Sequence, residues 1–244
     1  MMGIIFLGER QLELREFPDP TPGPRDVIIE IKASGMCGTD LHAYRRKIST
    51  KEHFIAGHEP CGVVVEVGNQ VSEREAEFGA RVMVHHYDGC GVCRHCKTGW
   101  TQLCDDGAVV FGSGQGHGAH ARYMRVPTHT LVPLLDDLSF PAGAAISCGT
   151  GTAYGALKRL GLEGDETIAI FGQGPVGLSA TQFGAAMGAR VIAIEISPER
   201  RQLAIEKGAD IVLDPTAIDP VAAIQDLTHG EGAHKALETS GAKD

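Results

Sequence analysis

Four cysteines, Cys90, Cys93, Cys96 and Cys104, follow one another with the spacing Cys-x2-Cys-x2-Cys-x7-Cys. Thiolates this close in sequence can wrap one tetrahedral zinc ion, and doing so turns the intervening chain, at about residues 88–106, into a self-contained lobe. A shell of four sulfurs leaves no open coordination position, so such a site is structural. The Cys-x-x-Cys pairs lack the strand–helix–strand surroundings of a thiol redox motif. The chain has seven cysteines in all, an odd number, and metal spacing in place of a disulfide framework points to a reducing compartment, the cytoplasm. The early apolar stretch at residues 4–7 is too short for a signal-peptide core or a membrane span, and Glu9 and Arg10 follow it.

Around that lobe the sequence reads as two halves. From residue 1 to about residue 133, short β-like runs at 4–7, 27–33, 62–67, 80–85 and 119–126 are broken by Gly, Pro and Asp. The segment Pro18-Asp19-Pro20-Thr21-Pro22-Gly23-Pro24 can be neither helix nor ladder and joins two early strands. After about Gly143 the rhythm changes to short apolar runs (167–171, 190–194, 211–213, 236–238) alternating with helix-compatible stretches (174–187, 198–207, 220–228). That alternation predicts a doubly wound α/β unit around a parallel sheet. Pro198 after Ser197 and Pro220 after Asp219 are helix starts. Lys and Arg total 22 against 31 Asp and Glu, a net charge of −9, which speaks against nucleic acid as a partner.

The second half carries Ile168-Ala169-Ile170-Phe171-Gly172-Gln173-Gly174-Pro175-Val176-Gly177, a strand running into Gly-x-Gly-x-x-Gly and then a helix. The glycines let the backbone approach a pyrophosphate, and the helix N-terminus offers it unpaired N–H groups. Glu195 closes the next strand at the separation where an acid accepts from a ribose 2′-hydroxyl, which favours NAD over NADP. Arg200 and Arg201 lie near enough to soften that preference.

Three further segments are Ser34-Gly35-Met36-Cys37-Gly38-Thr39-Asp40-Leu41-His42, then Gly57-His58-Glu59, and later Ser147-Cys148-Gly149-Thr150-Gly151-Thr152. Together they resemble the catalytic-zinc motifs of the medium-chain zinc alcohol dehydrogenases, whose fold is a β-rich GroES-like catalytic domain followed by a Rossmann domain. The resemblance implies a GroES-like domain over 1–145 and a Rossmann-type domain over 146–244, with the active site in the cleft between them. By position the catalytic zinc ligands would be Cys37, His58 and Cys148, leaving one place for water or substrate. Glu59 is a competitor for the third ligand, or else a group behind the metal. The resemblance further implies two zinc ions per chain, a small alcohol or polyol as substrate, and hydride transfer to NAD. It assigns a proton path through Thr39, the nicotinamide ribose and His42, and places Thr152 beside the nicotinamide.

Residues 236–241 read as the fourth strand of a six-stranded nucleotide-binding sheet. The resemblance therefore implies that this chain stops before the last two strands and the dimerising edge of the family's homo-oligomers. A fragment that binds zinc and dinucleotide without turning over is accordingly the alternative function. Cys61 reads as a buried thiol, and His85, His86, His117 and His120 as solvated or packed side chains without an assigned role.

Overall fold

Apolar residues alternate along strands of the first half and run continuously along those of the second, and the sheets follow from where those side chains can be buried. The computed structural model describes residues 1–47, 54–113 and 115–241. The chain divides into two compact units, Met1–Cys148 and Gly149–Asp244.

The first unit begins with a hairpin of β1 (Met2–Gly8) and β2 (Gln11–Glu16), then β3 (Asp26–Gly35), α1 (Gly38–Arg45), β4 (Glu59–Val67) and β5 (Arg81–Val84). The lobe follows with β6 (Tyr87–Asp88), α2 (Arg94–Lys97) and β7 (Val109–Val110); β8 (Tyr123–Pro127), β9 (Leu131–Pro133) and α3 (Phe140–Ala145) complete it. Its central sheet has the order β8-β3-β4-β5-β9, with every pairing antiparallel. Alternation on β5 shows why it holds: Val82 and Val84 enter one core with Val27, Ile29, Val64 and Met124, while Met83 points to a second core with Cys61, Leu134 and Ala144 of α3. Each such aliphatic side chain contributes about 1.5–3 kcal/mol when fully buried.

The strand expected over 119–126 is continuous only from Tyr123, with Ala121 in an isolated bridge to Gly3. The backbone N–H groups of Ala119 and His120 instead donate to the carbonyls of Gly57 and Ala56, which ties this stretch to the turn before His58. The connector at 18–24 is irregular, as its prolines dictate, and joins β2 to β3.

The second unit carries α4 (Gly151–Leu160), β10 (Thr167–Phe171), α5 (Pro175–Ala186), β11 (Arg190–Ile194), α6 (Pro198–Glu206), β12 (Ile211–Leu213), α7 (Pro220–Leu227) and β13 (Lys235–Glu238). Its sheet is wholly parallel with the order β12-β11-β10-β13, the 3-2-1-4 order of a doubly wound nucleotide-binding fold. Helices cover both faces: Ile168 and Ile170 pack with Ala153, Leu157 and Ala180, whereas Ala169 and Ile192 pack with Leu213 and Ile224. Burial on both sides is why these strands read as continuous apolar runs in sequence. Ser197 Oγ accepts from Arg200 N at 3.3 Å and Asp219 Oδ1 from Val221 N at 2.9 Å, so both expected helix starts are capped. Among the described residues no helix is long and apolar enough to cross a membrane.

Candidate metal and nucleotide sites

The lobe brings Cys90, Cys93, Cys96 and Cys104 together, with their sulfurs all within 4.8 Å of one another. None of the four forms a disulfide. Backbone amides turn inward to the sulfurs: Cys90 N donates to Cys104 Sγ at 3.3 Å, Cys93 N to Cys90 Sγ at 3.3 Å and Cys96 N to Cys93 Sγ at 3.4 Å. Gly89 has to be glycine here, because a Cβ would lie 2.7 Å from Cys96 Sγ. The amides of Cys96 and Asp105 hold the Cys93 thiol down to about 7, whereas burial and the neighbouring sulfurs push Cys96 up to about 12. Four thiols this crowded cannot all ionise by themselves. A divalent cation relieves that conflict, so the donor set suits zinc with no position left over.

A second cluster gathers Cys37, His58, Glu59 and Cys148, whose ligand atoms likewise lie within 4.8 Å of one another. Its members come from three distant stretches. Cys37 is the N-cap of α1, His58 immediately precedes β4, Glu59 is its first residue, and Cys148 sits in a π-helical turn, Ile146–Thr150, after α3. Cys37 Sγ and Cys148 Sγ are 4.0 Å apart. Two thiolates sharing a tetrahedral zinc at ~2.3 Å would stand about 3.8 Å apart, so the spacing accommodates the metal. His58 and Glu59 are buried, and Gly35 makes room for the acid, since a Cβ there would collide with the Glu59 carboxylate.

Asp40 ties this cluster together and has no assignment in the sequence reading. It is 3% exposed. One carboxylate oxygen accepts from Cys37 N at 2.8 Å, and the other lies 3.2 Å from His58 Nδ1. The carboxylate thereby fixes the imidazole tautomer, with hydrogen on Nδ1 and the Nε2 lone pair available to a metal. A carboxylate three residues beyond an N-cap is a local pattern, and that is the signal that could have found it.

Charges in the cluster are strongly coupled. Hydrogen bonds from Cys148 and His58 hold the Cys37 thiol down to about 3, and the same contact with Cys37, with burial, pushes Cys148 well above the thiol range. Burial works against charge on His58, but Asp40 and Cys37 raise it to about 10. Glu59 is raised by burial and by the negative Cys37. Cys148 and His58 therefore hold protons that a bound cation must displace.

Thr39 and His42 lie on α1 and are exposed; the Thr39 hydroxyl is 3.8 Å from Cys37 Sγ, and no hydrogen bond joins Thr39 to His42 among the described residues. Three histidines without assigned roles stand closer to the cluster than their sequence positions suggest. The His86 ring centroid is 5.2 Å from that of His58, and the rings of His85 and Tyr87 pack against His86 at tilted angles, 6.0 and 4.3 Å away. Burial pushes His86 down to about 4, so it is neutral near pH 7. His120 Nδ1 is 2.9 Å from Ser34 Oγ, and its ring backs onto Gly57. His117 Nδ1 accepts from Ile55 N at 3.2 Å. Cys61 is fully buried, and desolvation pushes its thiol up to about 11.

In the second unit, Gly172 has φ +84° and opens the loop after β10, and a Cβ on Gly177 would collide with the Gly172 carbonyl oxygen. This cradle passes into α5, with Gly174 as N-cap and Pro175 and Val176 in its first turn. Glu195 is 5% exposed and accepts from Gln173 N at 2.6 Å and Ser197 N at 2.9 Å, so it also braces the glycine loop. Gln173 is fully buried and is held by Thr181 Oγ1 and the Ile170 carbonyl. Arg201 donates to the carbonyls of Glu195 and Ile196 and pairs with Asp214 at 2.8 Å. It is committed, and Arg200 is the exposed cation left near Glu195. Thr152 is exposed in the first turn of α4.

Residues 23–136 match the family model for the alcohol dehydrogenase GroES-like domain, and residues 175–244 match that for zinc-binding dehydrogenases. An uncharacterised zinc-type alcohol dehydrogenase-like protein of Escherichia coli K12 is 38% identical, with 99% of this chain and 70% of that protein aligned. Among solved structures, the alcohol dehydrogenase TADH of Thermus sp. ATN1 superposes with a TM-score of 0.90 at 30% identity, over 99% of this chain and 71% of that one. A structure described as an NAD-dependent alcohol dehydrogenase superposes with a TM-score of 0.88 at 28% identity, over 99% and 71%.

Proposed function

Because the chain belongs to the zinc-type alcohol dehydrogenase family, we propose that it interconverts a small alcohol and its carbonyl, with zinc as resident metal and NAD as hydride carrier. The observation that carries this reading is the Cys37, His58, Glu59 and Cys148 cluster, in which Asp40 orients the imidazole. Cys37, His58 and Cys148 would hold the catalytic zinc, with Glu59 as an alternate ligand or the group behind it. Cys90, Cys93, Cys96 and Cys104 would hold a second, structural zinc. When bound, the catalytic metal supplies Lewis acidity toward the alcohol oxygen, and the dinucleotide accepts the hydride.

The chain's own residues have the remaining tasks. The Thr39 hydroxyl, beside Cys37 Sγ, both donates and accepts, so it can take the proton of the alcohol and pass it outward; His42, exposed on the same helix, can release it to solvent. Gly172, Gly174 and Gly177 admit the pyrophosphate, and the first turn of α5 after Pro175, from Val176 onward, presents its free amides to that charge. Glu195 accepts from the ribose 2′-hydroxyl, and with Arg201 committed to Asp214, Arg200 is the cation beside Glu195 that could face a 2′-phosphate; this supports NAD over NADP. Thr152 is assigned to the nicotinamide end. We assign the zinc-binding domain to 1–145 and the dinucleotide-binding domain to 146–244. Seven free cysteines support a cytoplasmic location, and net charge −9 an absence of nucleic acid from its partners. Self-association as a homo-oligomer is proposed on family membership.

The test is NADH formation by the zinc-loaded chain with a panel of small alcohols. Zinc-dependent NADH production that a chelator stops is the expected result. A protein that binds zinc and NAD but oxidises no alcohol would contradict it.

A further inference from the structure

Asp40 aligns two donors of the Cys37, His58 and Cys148 set, Cys37 through its amide and His58 through Nδ1. Cys148 arrives on the π-helical turn Ile146–Thr150 and is tied through the residue before it, Ser147. The Ser147 hydroxyl lies 3.0 Å from the Gly143 carbonyl one turn back, an ordinary helical contact, and 2.9 Å from the carbonyl of Pro60, which follows Glu59 in β4. The Ser147 carbonyl oxygen lies 3.1 Å from His86 Nδ1. A carbonyl only accepts, so Nδ1 carries a hydrogen and donates it. The same ring stands edge-on to His58, with centroids 5.2 Å apart and planes at 64°. His86 is 6% exposed, and Tyr87 packs against it at 4.3 Å. Its backbone is fixed as well, since Phe111 N donates to the His86 carbonyl at 3.1 Å and His85 N to the Thr130 carbonyl at 2.8 Å. His86 is therefore a held strut between His58 and the turn that carries Cys148.

We propose that His86, through its bond to the Ser147 carbonyl, is a positioning residue that holds the Cys148 sulfur at metal-sharing distance from Cys37 and His58. The proposal rests on the reading of this cluster as the catalytic zinc site. A metal shell keeps its geometry only while its donors stay within about 0.5 Å of their places, and partners that orient donors commonly set metal affinity by about 10- to 100-fold. The bond and the packing of the ring are separable. Asparagine carries its amide nitrogen where histidine carries Nδ1, so it keeps the donor and loses the ring; phenylalanine keeps an aromatic ring and loses the donor.

Competition between the zinc-loaded full chain and a chromophoric chelator of known affinity reads the contact without any turnover. In His86→Phe, the zinc ion that His58→Ala lacks should be held about tenfold more weakly, while the zinc of the cysteine lobe stays within about twofold. His86→Asn should recover most of that loss. Cobalt(II) in place of zinc should show the same order, with absorption bands that shift in His86→Phe and return in His86→Asn. Ser147→Ala keeps the carbonyl and its bond to His86 but cuts the tie to Pro60; it should weaken the same zinc severalfold, which keeps the test open should a His86 variant fold poorly. Equal losses in His86→Phe and His86→Asn overturn the proposal. So does the reverse order, which would make His86 a packing residue for His58, and so does parental affinity in both His86→Phe and Ser147→Ala. Two zinc ions in the parent with any of these outcomes defeat this inference alone, whereas a parent that holds zinc only in the cysteine lobe defeats the zinc-site reading beneath it.

Discussion

The two metal-binding clusters are built in opposite ways. The four-cysteine lobe takes every donor from one stretch of chain, and three backbone amides point at its sulfurs, so local conformation alone brings the ligands together. The cluster of Cys37, His58, Glu59 and Cys148 exists only after β4, α1 and the turn following α3 have packed, and it contains two thiols, an imidazole and a carboxylate. A closed sulfur shell stabilises a fold. A mixed shell with an imidazole aimed by Asp40 leaves chemistry possible, and its geometry depends on the whole unit.

The largest effect should come from breaking each cluster in turn. Cys37→Ser or His58→Ala should lower alcohol oxidation about a thousandfold or more while NAD affinity stays within about twofold, because metal and dinucleotide are held by different segments. Cys96→Ser should lower the thermal midpoint by on the order of ten degrees, read by scanning calorimetry. Equal stability losses in all three variants would erase the distinction.

Asp40→Asn sharpens the comparison, since the four-cysteine lobe has no corresponding residue. The amide leaves the His58 contact in place without its charge, so zinc affinity or activity should fall about 10- to 100-fold. Competition against a chelator of known affinity measures it, and an unchanged affinity would show that Asp40 serves only as the cap of α1.

The nucleotide loop gives a third point of reference. Glu195→Ala should shift the NAD to NADP ratio of kcat/KM by about tenfold or more toward NADP. It should also loosen the loop that Glu195 braces through Gln173 N. A parent that already prefers NADP would contradict the assignment.

The smallest effect concerns Cys61, the cysteine outside both clusters. Burial raises its pKa to about 11, so below that pH it stays a neutral thiol in the folded protein and gains nucleophilicity only as pH climbs toward that value. At pH 8 an alkylating reagent should leave Cys61 unmodified until the chain is denatured, as mass spectrometry of the peptides would read out.

What could be seen in the sequence follows the same local-versus-assembled division. Cys90, Cys93, Cys96 and Cys104, the loop from Gly172 to Gly177 and the capped starts at Ser197 and Asp219 are written in contiguous residues, and the alternating strand and helix runs gave the parallel sheet. The grouping of Cys37, His58 and Cys148 came only through resemblance, because nothing local joins residues so far apart. Asp40 was within reach as a capping partner of Cys37. The place of His86 was not, since it depends on β5 delivering that ring onto His58 and Ser147. Hairpin strand β2 escaped notice because its apolar residues, Leu12 and Leu14, are exposed while the alternate charged ones, Glu13 and Arg15, are half-buried. The proximity of Arg201 to Glu195 was readable, but its commitment to Asp214 was not.

Zinc content per chain, measured on the parent and on His58→Ala prepared side by side, tests the central claim most directly. Two centres of different construction predict about two zinc ions in the parent and about one in the variant, with the variant still folded. Equal zinc in both proteins, or loss of all zinc in the variant, would contradict a catalytic site separate from the cysteine lobe.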